Sequence, residues 1–399
     1  MRVLYLHPAG AYGGASKSLI ELFQLLRNTG VAGTVLTPTG SATQAFADAG
    51  MSVIAVKGLS QFDNTRYGHY RRLRWLILLR ELFLLPGSLL AIWRLRGEHF
   101  DILHVNEITL LPLGILAKKL LGLPMVVHVR SLQRPPESSW RSRLINHWLG
   151  RYANAVVAID AVVAKMLDPA LPLNIVHNGL RVDTVVKQDI AYTPKRLPVR
   201  VGFMGVLAVM KGVYELIEAM RILKDRRVGI ECVVVGENTR ELRGVVAWAL
   251  RKLDFAKDVR TELEQLTHQY GLENHVHLLG LVKDVRTIYP TLDILCFPSH
   301  LDAAGRPVFE AAFYSVPSVV AIQAPPPDAV LHEVTGLAIP RPEPELIANA
   351  LQRLAEDGPF RQTLGRQAQE WAVSNFSIEN SATAMTKIYR QLMHHSERK

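Results

Sequence analysis

The strongest constraint on the fold is a rhythm of short β-branched apolar runs separated by helical patterns, broken once and then restarted. Val3–Leu6, Gly33–Leu36, Val53–Val56, Ile102–Val105, Met125–Val129 and Ala155–Ile159 read as strands. Ala15–Thr29 and Thr43–Ala49 read as helices among them. Near-continuous apolar strands alternating with helices predict a parallel sheet covered on both faces. The rhythm fails over Asp183–Leu197, where KQDIAYTPKRLP is polar and carries two prolines. This stretch is expected to be a linker. It resumes with the strand Val199–Met204, the helix Tyr214–Lys224 and the strands Ile230–Val235, Val276–Leu279, Ile294–Phe297 and Ser318–Ala321. A helix is expected at Glu343–Glu356. Arg240–Leu266 reads as a long helical insertion of mixed charge with no legible function.

The expected fold is therefore α/β, with two Rossmann-like doubly wound domains. Residues 1–185 form the first, 186–198 the linker and 199–375 the second, and 376–399 a last helix returning to the first. A chain of 399 residues is long enough for two cores. Doubly wound sheets bind ligands beyond the carboxyl ends of their strands, so a cleft facing both sheets is the expected site.

Composition narrows the setting. The two cysteines, Cys232 and Cys296, lie in apolar runs and suggest buried thiols in a reducing compartment. MRVLYLHPAG reads as a first strand entering a glycine turn rather than a secretion signal. The apolar region Trp75–Trp93 is interrupted by Arg80, Glu81 and Pro86, which argues against a spanning helix. A cytoplasmic protein is expected. Its net charge of +10 favours an anionic partner.

Three segments could carry chemistry. GAYGGASKS, Gly10–Ser18, joins the first strand to the first helix. It could bring backbone N–H groups to an anion or be a plain tight turn, and its spacing fits neither a dinucleotide fingerprint nor a P-loop. GVLAVMKG, Gly205–Gly212, follows the first strand of the second domain. There Lys211 could neutralise a diphosphate at a helix start, or be an ordinary surface lysine. The most specific segment is Pro298–Ala311, PSHLDAAGRPVFEA. Asp302 and Glu310 flank a loop in which Gly305 and its neighbours can offer N–H groups, and the two acids can accept hydrogen bonds from sugar or ribose hydroxyls.

The last loop resembles the E-x7-E motif of family 4 retaining glycosyltransferases, with Asp302 and Glu310 at the right offset. Other segments follow in family order: Gly13-Gly14, the strand Pro124–His128, His177-Asn178-Gly179, Lys211-Gly212, His332–Leu337 and Phe376-Ser377. The resemblance covers nearly the whole chain and implies the GT-B fold. It implies transfer of a sugar from a nucleoside diphosphate to a glycan or lipid-linked acceptor, with retained anomeric configuration, no metal and no cofactor. It assigns the donor diphosphate to Lys211, the ribose to Glu310 and hydroxyls of the transferred sugar to Asp302. Gly13, Gly14 and Gly305 complete the donor contacts, and His128 lies near the reacting sugar. Arg130 is a further candidate for a phosphate contact. Val206 stands where the family usually has Arg, Asp302 is one methylene shorter than Glu, and Arg306 replaces an aliphatic residue. Arg306 is accordingly expected to supply the charge lost at Val206. A nucleotide-sugar epimerase and a catalytically silent binding module are the rival readings.

Between the third and fourth strands, arginines alternate with aromatics and leucines. Arg71, Arg72, Arg74 and Trp75 are candidates for contact with an anionic membrane surface, which would bring the chain to a lipid-linked acceptor. Core helices with a basic outer face are the competing reading. The segment carries no nucleic-acid-binding motif, and no nucleic-acid partner is expected.

Overall fold

The computed structural model describes residues 1–66, 75–180, 198–238, 258–282, 284–301 and 303–396. The chain divides into two compact units, Met1–Arg181 with Phe376–Lys399, and Val182–Asn375. Both are α/β sandwiches of parallel strands and helices.

In the first unit the order is β1 (Arg2–Leu6), α1 (Gly14–Asn28), β2 (Ala32–Pro38), α2 (Ser41–Asp48), β3 (Ser52–Val56), α3 (Ile77–Arg94), β4 (Ile102–Val105), α4 (Leu111–Leu121), β5 (Met125–Val129), α5 (Trp140–Tyr152), β6 (Ala155–Ala158), α6 (Ala161–Lys165) and β7 (Leu173–Ile175). The sheet runs β3-β2-β1-β4-β5-β6-β7, all parallel. Strand order reverses between β1 and β4. The second unit holds β8 (Val199–Met204), α7 (Val213–Asp225), β9 (Ile230–Val235), α8 (Val259–Gln269), β10 (Val276–Gly280), β11 (Ile294–Phe297), α9 (Arg306–Phe313), β12 (Ser318–Ala321), β13 (Gly336–Ile339) and α10 (Pro344–Glu356). Its sheet runs β10-β9-β8-β11-β12-β13, again parallel, reversing between β8 and β11. Two long helices follow, α11 (Gly358–Phe376) and α12 (Ile378–Ser396).

The strands are apolar at nearly every position because both faces are covered. In the first unit, Leu4, Leu6, Leu103, Val105 and Val127 point into one buried cluster. Val3, Tyr5, Ile102, Val126 and Val157 point into the other, where α1 and α12 pack. Each such aliphatic side chain contributes about 1.5–3 kcal/mol by leaving water. The second unit has one continuous cluster around Val201, Phe203, Val233, Leu295 and Val319. Cys232 and Cys296 are buried within it and unbridged. Helix starts are set locally. The side chains of Ser139, Asp160 and Asp258 accept from the N–H groups of Ser142, Val163 and Thr261, satisfying donors that the first turn leaves open.

The expected strands and helices are present within a residue or two of their ends. The linker, the first part of the expected insertion, Arg71, Arg72, Arg74 and Asp302 lie outside the described residues. Within the insertion, Val259–Gln269 is helical.

Candidate functional site

In the second unit the strand-order reversal leaves the ends of β8 and β11 side by side, and two loops meet there. From β8 the chain passes through Gly205, whose φ of 147° is closed to side chains, then an exposed Val206 and a 3-10 turn, Val209–Lys211. Gly212, with φ 73°, starts α7. A Cβ there would stand 1.8 Å from the Pro298 carbonyl oxygen, so only glycine lets the loop lie against the strand end. From β11 the other loop is tied to the first. The N–H of His300 and the hydroxyl of Ser299 both donate to the Met210 carbonyl, at 3.0 and 3.2 Å. His300 Nε2 lies 2.8 Å from Glu215 Oε1 on α7.

Phe297 joins the two loops. The Lys211 ammonium sits 5.2 Å from its ring centroid, and burial lowers the lysine's pKa. Gly305, at the start of α9, packs so closely on the same ring that a Cβ would lie 2.5 Å from it. Lys211 and the start of α9 are thus brought to one ring, and the start of α7 lies against the next residue, Pro298. Two helix N-termini and a partly desolvated ammonium form an anion-binding arrangement. Phe297 was read from the sequence only as the end of a strand, and nothing in its local pattern marks this bridging role.

One turn into α9, the Glu310 carboxylate is held from both sides. Arg306 Nε donates to Oε1 at 2.8 Å and the Tyr289 hydroxyl donates to Oε2 at 2.6 Å. Tyr289 is buried and its pKa rises well above 10, first through burial and then through the neighbouring carboxylate. Arg306 therefore engages Glu310, an ion-pair partner that the sequence reading did not foresee.

In the first unit the ends of β4 and β5 carry a buried polar network. Arg130 Nε donates to Asn106 Oδ1 at 3.0 Å, and another guanidinium nitrogen donates to Asn178 Oδ1 at 2.7 Å. With its oxygen turned to the cation, Asn106 presents its amide N–H to His7 Nδ1 at 2.9 Å. His7 then carries its proton on Nε2 and donates to Ser16 on α1 at 3.1 Å. Burial and Arg130 pull His7 down to about 3. His128 is buried beside His104, the ring centroids 5.5 Å apart, with Nδ1 3.4 Å from the Arg130 guanidinium and Nε2 without a hydrogen bond. Burial, Arg130 and His104 hold it well below 6.5, so it is a neutral imidazole. Gly13, in extended conformation, and Gly14 open α1. A Cβ at either would meet nothing within 4 Å, so packing does not demand glycine at these two positions. Glu107, which accepts from Ile108 N–H and the Ser131 hydroxyl, is pushed up to about 7 by burial.

Comparison with known proteins gives this arrangement a family. "Glycosyl transferase 4-like domain" matches residues 13–169 and "Glycosyl transferases group 1" matches residues 193–371. The chain is a GT-B glycosyltransferase resembling family 4. It is similar to glycogen synthase of Mycobacterium tuberculosis, 23% identical over 72% of this chain and 68% of the relative. It is 26% identical to D-inositol 3-phosphate glycosyltransferase of Corynebacterium aurimucosum over 96% of this chain and 92% of that one. The crystal structure of Anabaena HepE in complex with UDP superposes with a TM-score of 0.74 at 20% identity, covering 98% of this chain and all of the other. Both halves of the glycosyltransferase are represented in these matches. In the group 1 segment lie Lys211, Gly305, Arg306 and Glu310, and in the 4-like segment Gly13, Gly14, His128 and Arg130.

Proposed function

We propose that this glycosyltransferase takes a sugar from a nucleoside diphosphate and delivers it, with retained configuration, to a glycan or lipid-linked acceptor in cell-surface polysaccharide or glycolipid synthesis. The observation that carries the reading is the meeting of Lys211 and the α9 start on the Phe297 ring, with the α7 start against Pro298 and the Glu310 carboxylate one turn into α9. Breaking the anomeric C–O bond leaves cationic character on the sugar and adds negative charge to the departing diphosphate. An ammonium and helix N–H groups aimed at that growing charge favour the transition state over the ground state. In this reading Lys211 and the two helix starts take the diphosphate, so no metal ion is required, and Glu310 accepts the ribose diol. To Gly13, Gly14, His128 and Asp302 we assign the roles that the resemblance implies. HepE has been crystallised with UDP and with UDP-glucose, which makes uridine nucleotides the first ligands to try. A cytoplasmic setting with contact to an anionic membrane surface through the arginine-rich segment 71–75 completes the proposal.

The test is a thermal-shift and titration series with UDP, GDP, ADP and their glucose conjugates on the wild type, Lys211→Ala and Glu310→Ala. A shift with one nucleotide, lost in both variants, supports the site. Undiminished nucleotide binding in both variants removes it from the 205–212 and 298–311 loops.

A further inference from the structure

α3 packs Ile92, Leu85 and Leu89 on the core and leaves a second row of large apolar side chains in solvent. On a helix at the surface of a globular protein the apolar side chains face the core and the polar ones face water. Here Phe83 is 83% exposed, Leu79 65%, Leu82 62% and Trp93 55%, with Leu76 and Leu90 also exposed. The spacing 76, 79, 83, 90, 93 keeps most of these on one helical stripe. Two polar residues point the other way. Glu81 is buried and accepts from the Gln61 N–H at 2.8 Å, and buried Ser88 accepts from the Ser60 N–H at 3.1 Å while donating to the Leu84 carbonyl. The helix is thus held to the 58–61 segment by its carboxylate and hydroxyl and to the core by Leu85, Leu89 and Ile92, with one stripe of leucines and aromatics in solvent. A contiguous exposed stripe of this kind marks an interaction surface.

The charges beside the stripe decide what it meets. Arg80, Arg94 and Arg96 are exposed, and between residues 75 and 97 the one acid is Glu81, which is buried and takes the Arg80 guanidinium as its ion-pair partner. A second copy of this face would bring arginines against arginines. An anionic lipid surface offers phosphates to the cations and acyl chains to the leucines, with Trp93 at the boundary. Eighteen residues make a helix about 27 Å long, and no helix among the described residues is long and apolar enough to cross a membrane. The element fits a position lying in the plane of the interface.

We infer that α3 is an interfacial anchor that inserts Leu79, Leu82, Phe83, Leu90 and Trp93 into an anionic bilayer, with Arg94 and Arg96 on the headgroups. This sharpens the membrane contact proposed above from an electrostatic touch by the 71–75 arginines to apolar insertion by the following helix. It rests on that part of the reading, and donor binding is independent of it.

The experiment uses the full chain with phosphatidylcholine vesicles containing about a third phosphatidylglycerol, and with pure phosphatidylcholine vesicles. The variants are Leu79→Ser with Phe83→Ser, Arg94→Gln with Arg96→Gln, and Trp93→Phe. The inference expects flotation with the anionic vesicles and a blue-shifted, lipid-quenchable emission component that Trp93→Phe removes. It expects partition to fall at least about tenfold in the serine pair, because two inserted side chains are lost. In the arginine pair it expects weakened binding to anionic vesicles only. The nucleotide-induced thermal shift and melting temperature of the serine pair should match the wild type, which separates failure of the anchor from failure of the donor site or of folding. Undiminished vesicle binding by the serine pair overturns the inference, as does bound protein whose Trp93 is not quenched, or a wild type that does not float. A dimer in sedimentation that the serine pair disperses, without vesicle binding, would replace the bilayer with a second copy and also overturn it.

Discussion

Glu310 accepts two hydrogen bonds, from a cation one turn back and from a buried phenol, and this fixes what a variant of either partner does. If Arg306 acts by orienting Glu310, then Arg306→Ala and Glu310→Ala are not independent. We expect each single variant to weaken nucleotide binding by about tenfold, or ~1.4 kcal/mol, with the double variant little worse than Glu310→Ala alone. Additive losses in a titration cycle would show Arg306 acting directly on phosphate, as the sequence reading expected. The buried titratable groups give a second outcome at this scale. The folded-state pKa values of His7 and His104 fall from 6.5 to about 3, and that of His128 falls well below 6.5. Below pH 6.5 the unfolded chain takes up protons at these histidines and the folded chain does not. Each therefore removes up to about 1.4 kcal/mol of stability per pH unit on acidification. Glu107 has the opposite sign, since its folded-state pKa rises from 4.5 to about 7 and the folded chain holds the extra proton in that window. Three losses outweigh one gain. Denaturation at pH values of about 7, 6 and 5 should show stability dropping toward acid, more steeply in Glu107→Gln. Lys211 and Glu310 stand out as candidates in the sequence because their neighbours stand at motif spacing. The pairing of His104 with Tyr389 was not, because 285 residues separate them and no local pattern encodes the contact.

Strands were the most legible elements. Val199–Met204 and Ile294–Phe297 are continuous β-branched or apolar runs bounded by turn residues, and burial on both faces leaves no polar alternation to confuse them. Shorter strands escaped: Leu173–Ile175 is half exposed on the sheet edge, and Gly336–Ile339 opens on a glycine that weakens any strand signal. The side that α3 buries was also beyond reach, because apolar side chains occupy both its core face, with Leu85, Leu89 and Ile92, and its exposed stripe, with Leu79, Phe83 and Leu90. Turn glycines can be tested directly. Gly212 combines φ 73° with a Cβ position 1.8 Å from the Pro298 carbonyl oxygen. Gly212→Ala should destabilise the second unit by at least about 2 kcal/mol and separate the 209–212 turn from the 298–301 loop. Thermal unfolding followed with bound nucleotide reads both effects, a lower melting temperature and a smaller ligand-induced shift.

Across the whole molecule, the chain runs through the second unit and then returns to the first. Ile378, Ala382, Met385, Ile388 and Tyr389 of α12 are buried in the same cluster as Val3, Tyr5, Leu19 and Val126. The Tyr389 hydroxyl lies 2.6 Å from His104 Nδ1 and 3.3 Å from the Tyr5 hydroxyl. The return is pinned at its start as well. Leu180 N–H donates to the Phe376 carbonyl at 2.8 Å, Ile378 N–H donates to the Leu180 carbonyl at 2.9 Å, and the Ser381 hydroxyl donates to the His177 carbonyl at 2.9 Å. The four larger of these buried α12 side chains, at about 1.5–3 kcal/mol each, amount to much of the 5–15 kcal/mol that stabilises a typical domain. A chain ending after Asn375 should therefore lose the cooperative unfolding transition of the first unit and keep that of the second. A nucleotide that binds at Lys211 and Glu310 should still raise the remaining transition, because those residues and their supports all belong to Val182–Asn375. Tyr389→Phe is the milder form of the same test. It leaves the helix in place but takes the hydroxyl from His104, and should lower only the first transition, by about 1–3 kcal/mol. Differential scanning calorimetry separates the two transitions. If both fell together in either variant, the division of stability between the units argued here would be wrong.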